Sequence, residues 1–200
     1  MDLKKHSLNI CDYKEVARLH HDCLNESFLG TLGIPFLTLL YEAIDKDNES
    51  VLFVKRENNV IVGFVSGTNR IGQIYRQLIL NPFRLIFSLK SCLLSPSKIY
   101  RIIEVLLATN QDDNSIYLPK HELLSIAVSP DYQGSGHAEN LFKNLCTYFK
   151  SKGVRSFRIV VGSNLSKAHN FYNKMESVPV KEIQVHKGSN SIVYVKKIDQ

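Results

Sequence analysis

The chain has 200 residues, 44% of them hydrophobic and 22% charged, and a formal net charge of +6. This is one domain's length with an ordinary globular balance, which excludes disordered, collagen-like and disulfide-scaffold classes. No run of about eighteen uncharged apolar residues occurs, so no membrane-spanning helix is expected.

Met1-Asp2-Leu3-Lys4-Lys5-His6 lacks an apolar run, so no secretory leader is expected there. Cys11, Cys23, Cys92 and Cys146 are scattered, with no pair at metal-ligand or redox spacing. That pattern implies reduced thiols, no metal site and a cytoplasmic protein.

A strand is expected at Leu3–Ile10. Asp12, with Glu15 three places on, forms a capping-box pattern, and Val16, Leu19, His20 and Cys23 follow at helical spacing. A second helix is expected from Ile34 to Ile44, with Phe36, Leu37, Leu40 and Tyr41 as its apolar stripe. Two β-branched runs, Val51–Val54 and Val60–Val65, are separated by Glu57-Asn58-Asn59 and predict a hairpin.

Residues 70 to 120 interrupt the strand order. Asn81-Pro82 and Ser95-Pro96 each read as an N-cap followed by Pro at the first helical position. Three short helices are expected, near 72–80, 82–94 and 96–107, then a polar loop at Gln111–Asn114. Arg70 to Leu107 holds six basic residues against one acid, so the positive charge is local.

The apolar run Leu123, Leu124, Ile126, Ala127, Val128 stops at Ser129-Pro130 and predicts a strand. Gln133-Gly134-Ser135-Gly136-His137-Ala138 then leads into a helix whose stripe is Ala138, Leu141, Phe142, Leu145, Cys146 and Phe149. Gly153 ends it. A strand at Phe157–Val161, a helix capped by Asn164, and strands near Val180–His186 and Ile192–Ile198 complete the order.

Two glycines at a strand-to-helix turn let backbone amides approach a ligand, and the helix terminus behind them favours negative charge. That is the chemistry of a pyrophosphate cradle. A dinucleotide fingerprint would need a third glycine, where Glu139 stands, and an acid about twenty residues on, where only an apolar strand occurs.

The phrase Gln133, two residues, Gly136, one residue, Ala138 resembles the coenzyme A signature of the GNAT acyltransferase superfamily. A second phrase, Asn164, Ala168, Phe171 and Tyr172, is similar to the family's later motif. The element order agrees across nearly the whole chain, apart from 70–120. One departure stands out: Glu176-Ser177 occupies the place where the family carries Gly-Phe.

The resemblance implies an α+β (α/β) GNAT fold: one domain over 1–200, with a mixed, mostly antiparallel sheet flanked by helices. A helical insertion would precede the fourth strand. It implies acetyl-CoA as the cofactor. Backbone groups of Ile126, Ala127 and Val128 would bond the pantetheine arm or polarise the thioester carbonyl, and amides from Gln133 through Gly134, Ser135, Gly136 and His137 to Ala138 would take the pyrophosphate. The His137 side chain, in the first helical turn, is expected to face solvent. Asn164 and Phe171 would help hold the cofactor. Tyr172 would be the general acid at the leaving thiolate.

The base is not singled out by any motif. Glu122 opens the strand that leads to the turn, with His121 beside it, and His20, His21 and Glu26 lie where such proteins often line the acceptor site. His20 falls on an apolar stripe and reads as a packed histidine. The phrase Phe28–Gly33, followed by Phe36-Leu37 and Leu40-Tyr41, resembles family members of surface-polysaccharide sugar synthesis.

The expected activity is N-acetylation of a primary amine on a small molecule, with a nucleotide-linked amino sugar as the favoured acceptor. Acetylation of a protein amine and a non-catalytic coenzyme A-binding module are the alternatives. For the basic insertion, an acceptor lid, a homodimer interface and a membrane-surface patch compete. Nucleic acid is not expected as a partner, because aromatic and basic residues do not interleave on strands.

Overall fold

The computed structural model describes residues 8–25, 27–90, 118–186 and 189–198. Helix α1 (Ile10–Cys23) begins within the span expected to be a strand, most of which lies outside the described residues. Its cap is Asn9 rather than Asp12. The Asn9 side chain accepts from the amides of Cys11 and Asp12, and Asp12 accepts from the Asn9 amide at 2.9 Å. Asp12 is therefore the fourth residue of the capping box, its N3 position, not its first.

Helix α2 (Ile34–Lys46) follows a single 3-10 turn (Leu29–Leu32). Strands β1 (Val51–Glu57) and β2 (Val60–Thr68) pair antiparallel through a two-residue turn. Asn58 and Asn59 both take positive φ, 49° and 65°, which matches the twist of the flanking strands. Helices α3 (Ile71–Ile79) and α4 (Pro82–Ser88) stand where the first two insertion helices are expected. Asn81 does not cap α4 through its side chain; its amide nitrogen donates instead to the Gln77 carbonyl at 3.1 Å. The third insertion helix and the 111–114 loop lie outside the described residues.

Then come β3 (Glu122–Val128), α5 (His137–Ser151), β4 (Ser156–Gly162), α6 (Ser166–Lys174), β5 (Val178–His186) and β6 (Ser189–Lys197). The sheet order is β1-β2-β3-β4-β6-β5. All neighbours run antiparallel except β3 and β4.

One core cluster packs α1, α2 and α3 on one face of the sheet, around Phe36, Tyr41, Phe64 and Ile74. A second packs α5 and α6 on the other face, around Phe142, Leu145, Phe149, Phe157 and Tyr172. β3 serves both. Leu123, Ile126 and Val128 belong with the second cluster, and Leu124 and Ala127 with the first. Strict alternation would put Leu123 and Ile126 on opposite faces. A bulge resolves this, because the β2–β3 register steps from Ser66↔Ser125 to Gly67↔Leu123 and leaves Leu124 unpaired.

Candidate active site

The parallel register between β3 and β4 covers only Glu122↔Arg158 and Leu123↔Ile159. Beyond the bulge the two strands part. β4 continues paired to β6 as far as Gly162, while β3 remains paired to β2 as far as Val128. The edge of β3 that faces β4 is thereby left without a ladder partner over Ser125–Val128, and unpaired edge groups are available to an extended ligand.

β3 ends at Val128 and a 3-10 turn, Pro130–Tyr132, carries the chain to the glycines. Gly134 and Gly136 both sit at φ +78°, and a Cβ built on either meets nothing within 4 Å. What glycine supplies here is left-handed backbone, not room. Gly136 is also the N-cap of α5 and offers no side-chain acceptor. The first-turn amides of His137 and Ala138 thus have neither an intrahelical carbonyl nor a cap to bond. A serine or aspartate cap would have occupied them. The residues of this turn fit a pyrophosphate.

Gln133 donates its amide within the turn, to the Pro130 carbonyl at 3.3 Å. Its side-chain Nε2 donates to the Val128 carbonyl at 3.0 Å, closing the turn on itself, and Cys23 Sγ approaches that carbonyl at 3.7 Å. Val128's carbonyl is therefore already engaged within the protein. His137 does not face solvent: its Nε2 lies 3.7 Å from Glu57 Oε1, and its side chain is only 14% exposed. Ser135 is exposed, and Ala138 packs against the second cluster.

Asn164 is exposed between β4 and α6, with its Oδ1 placed where a Cβ on Gly162 would come within 3.1 Å. The residue capping α6 is Leu165, one position later than expected. Tyr172 is buried among Phe142, Phe171 and Tyr194, with ring centroids 5.3 to 6.2 Å away. Burial pushes its phenol pKa well above 10, so the hydroxyl holds its proton. Phe171 packs edge-on to Phe142 at 5.9 Å and belongs to this aromatic cluster.

α6 closes with a Schellman pattern. The Ser177 amide donates to the Tyr172 carbonyl and the Glu176 amide to the Asn173 carbonyl, both at 2.9 Å. Glu176 takes φ 55° to make it, in the left-handed cap that the family's glycine would fill.

Glu122 lies at the far end of β3, six residues and about 20 Å from Val128. It is not a solvated strand-entry residue. Its Oε2 accepts from Arg158 Nε at 2.9 Å, and the side chain is 17% exposed. Burial raises its pKa, opposed by the Arg158 charge. His121 stacks edge-on to Phe149 at 5.3 Å, and burial lowers its pKa.

Two histidine networks carry structure that spacing alone does not reveal. His20 is buried, its pKa pushed down to about 4, chiefly by burial. Its Nδ1 lies 2.6 Å from Tyr41 Oη and its Nε2 3.4 Å from Ser27 Oγ. Ser27 Oγ donates to the Leu24 carbonyl at 2.6 Å, so it accepts from Nε2, which leaves Nδ1 to accept from Tyr41. His169 joins Tyr194 Oη at 2.9 Å to the Gly162 carbonyl at 3.1 Å, behind Tyr172. The apolar stripe marked His20 as packed; no sequence signal marked His169 or Tyr194. Glu26 lies outside the described residues.

The family model of the acetyltransferase (GNAT) family matches residues 15–176. No curated protein sequence matches this one. Among solved structures, the chain is similar to an aminoglycoside 6'-N-acetyltransferase complexed with coenzyme A (11% identity, TM-score 0.62), covering 98% of this chain and 95% of that one. It is similar to the Salmonella typhimurium protein yncA with its cofactor acetyl-CoA (12%, TM-score 0.61, covering 96% and 92%). The ribosomal-protein-S18-alanine N-acetyltransferase of Escherichia coli shares the fold too (13%, TM-score 0.58, covering 97% and 92%). At such identities the structures speak to the fold alone. The family match extends over most of the chain, across the splayed strands, the glycine turn and the helix bearing Tyr172, and on that ground the protein belongs to the GNAT family of N-acetyltransferases.

Proposed function

We propose that the protein transfers an acetyl group from acetyl-CoA to the primary amine of a small molecule, with an anionic amino sugar, nucleotide-linked, as the preferred acceptor. The observation that carries the reading is the placement of Tyr172, fixed among Phe142, Phe171 and Tyr194 on the helix that follows the parted strands.

Acetyl-CoA supplies the activated acyl group. The protein's own residues do the rest. Amides of His137 and Ala138 bond the pyrophosphate at the start of α5, and Gln133 keeps the turn closed so that they converge. Unladdered groups of β3 near Ile126 and Ala127 take the extended arm. Asn164 and Phe171 flank that arm, and Tyr172 Oη delivers a proton to the departing sulfur. Glu122, with its pKa raised by burial, takes the proton from the attacking amine, directly or through water.

The amino-sugar preference rests on the phrase Phe28–Gly33, followed by Phe36-Leu37 and Leu40-Tyr41, which is similar to that of family members of surface-polysaccharide sugar synthesis. Free-thiol release from acetyl-CoA, measured against a panel of amines, tests it. Turnover with nucleotide-linked amino sugars at least tenfold above neutral amines is expected. Turnover confined to peptides would move the acceptor to proteins, and none with any amine, despite coenzyme A binding, would leave a binding module.

A further inference from the structure

We propose that the α3–α4 hairpin docks this protein on the surface of an anionic lipid bilayer. In α4, Phe83, Ile86 and Phe87 stand at i, i+3 and i+4 and so share one face. That spacing ordinarily marks the side turned to a core. Here it is turned outward: Phe83 is 88% exposed, Phe87 75% and Ile86 57%. The hairpin is anchored, because α3 buries Ile74, Tyr75 and Leu78 in the first core cluster. A contiguous exposed apolar ridge on an anchored element marks an interaction surface.

Charge selects the partner. Residues 70–90 contain Arg70, Arg76, Arg84 and Lys90 and no acid. Arg70 faces Asp47 of the preceding loop at 3.5 Å and Arg84 faces Glu42 of α2 at 2.6 Å, which leaves the selection to Arg76 and Lys90. Lys90 Nζ lies 5.8 Å from the centre of the Phe87 ring, over its face. Beside Phe87 opens a groove of about 410 Å³ where Lys14 and Arg18 of α1 join Arg84. The groove's one acid, Glu42, is already held by Lys46 and Arg84, both at 2.6 Å. Exposed phenylalanines with Lys90 over one ring and basic side chains in the adjoining groove suit the acyl and phosphate layers of an anionic leaflet. A second copy of the chain fits poorly, since two-fold pairing would set like cations against each other. Among the described residues no helix is long and apolar enough to cross a membrane, so the contact is with the surface.

The test is flotation of the full chain with vesicles of phosphatidylcholine alone or with about a third phosphatidylglycerol. The expected result is at least tenfold more protein on the anionic vesicles, lost at high salt. Phe83→Asp/Phe87→Asp and Arg76→Glu/Lys90→Glu should each abolish that binding with the melting temperature unchanged. Equal retention on both vesicles, or binding unaltered in the phenylalanine variant, overturns the proposal. So does a lipid-free dimer that the phenylalanine variant dissociates, since that assigns the face to a second copy.

Discussion

Arg158 donates its Nε–H to Glu122 Oε2 at 2.9 Å, and the same two residues are register partners in the brief parallel contact between β3 and β4. The ion pair thus sits at the fork from which the strands separate. Arg158 is 28% exposed and Glu122 17%, so the pair is partly shielded from water. Removing one partner strands the other's charge. Arg158→Met should cost about 2–3 kcal/mol and raise the Glu122 pKa further, and adding Glu122→Gln should recover most of the loss. Urea denaturation of the two singles and the double closes the cycle; additive losses would refute the coupling.

Tyr172→Phe removes a hydroxyl and leaves the aromatic packing against Phe142 and Tyr194 in place. If that hydroxyl protonates the leaving sulfur, kcat should fall by about a hundredfold or more while acetyl-CoA affinity changes little. Thiol-release kinetics beside calorimetric binding separate the two, and an unchanged kcat would falsify the assignment.

Glu176 carries the left-handed cap of α6 at φ 55° without being glycine. Its ion pair with Lys196, at 3.2 Å, is on a side chain 85% exposed and contributes little. Glu176→Gly should therefore stabilise the protein by about 1 kcal/mol, which corresponds to a melting-temperature rise of about 2–4 °C. A differential scanning calorimetry trace showing a lower melting temperature would contradict the strain.

His20 is buried with a pKa near 4, below the 6.5 of an ordinary histidine. The unfolded chain therefore binds the proton first, and stability falls as pH drops from about 6.5 towards 4. At about 1.4 kcal/mol per pH unit, this one group removes about 3 kcal/mol across that window. His20→Gln should flatten the acid limb of stability measured by urea denaturation between pH 4 and 7. An unchanged slope would mean that other groups set it.

Gly136 and Gly67 are constrained for opposite reasons. At Gly136 the φ is +78° and the space is open, so Gly136→Ala should cost about 1–2 kcal/mol from backbone strain and weaken acetyl-CoA binding. A Cβ at Gly67 would lie 2.8 Å from Leu145 Cδ1 and 2.9 Å from Phe149 Cζ. Gly67→Ala should cost about 1–3 kcal/mol through overpacking and leave cofactor affinity unchanged. Melting curves with and without acetyl-CoA distinguish the two.

By itself the sequence determined the pieces whose physics is local. The apolar spacing from Ala138 to Phe149 dictated α5, the β-branched runs dictated the first hairpin, and two glycines ahead of a helix dictated an amide-lined turn. Where a helix start depends on which of several adjacent residues leaves helical backbone geometry, local pattern misassigned it, as with Asp12 for Asn9 and Asn164 for Leu165. Only the tertiary structure decided the rest. The bulge at Leu124 turns Leu123 and Ile126 to one face, which an unbroken apolar run does not reveal. The parting of β3 from β4 depends on β6 holding β4, a pairing between strands about thirty residues apart. Arg158 beside Glu122, Tyr41 beside His20 and Tyr194 beside His169 lie 21 to 36 residues away in sequence, and the burial that raises the Glu122 pKa and lowers that of His20 is a property of the folded whole.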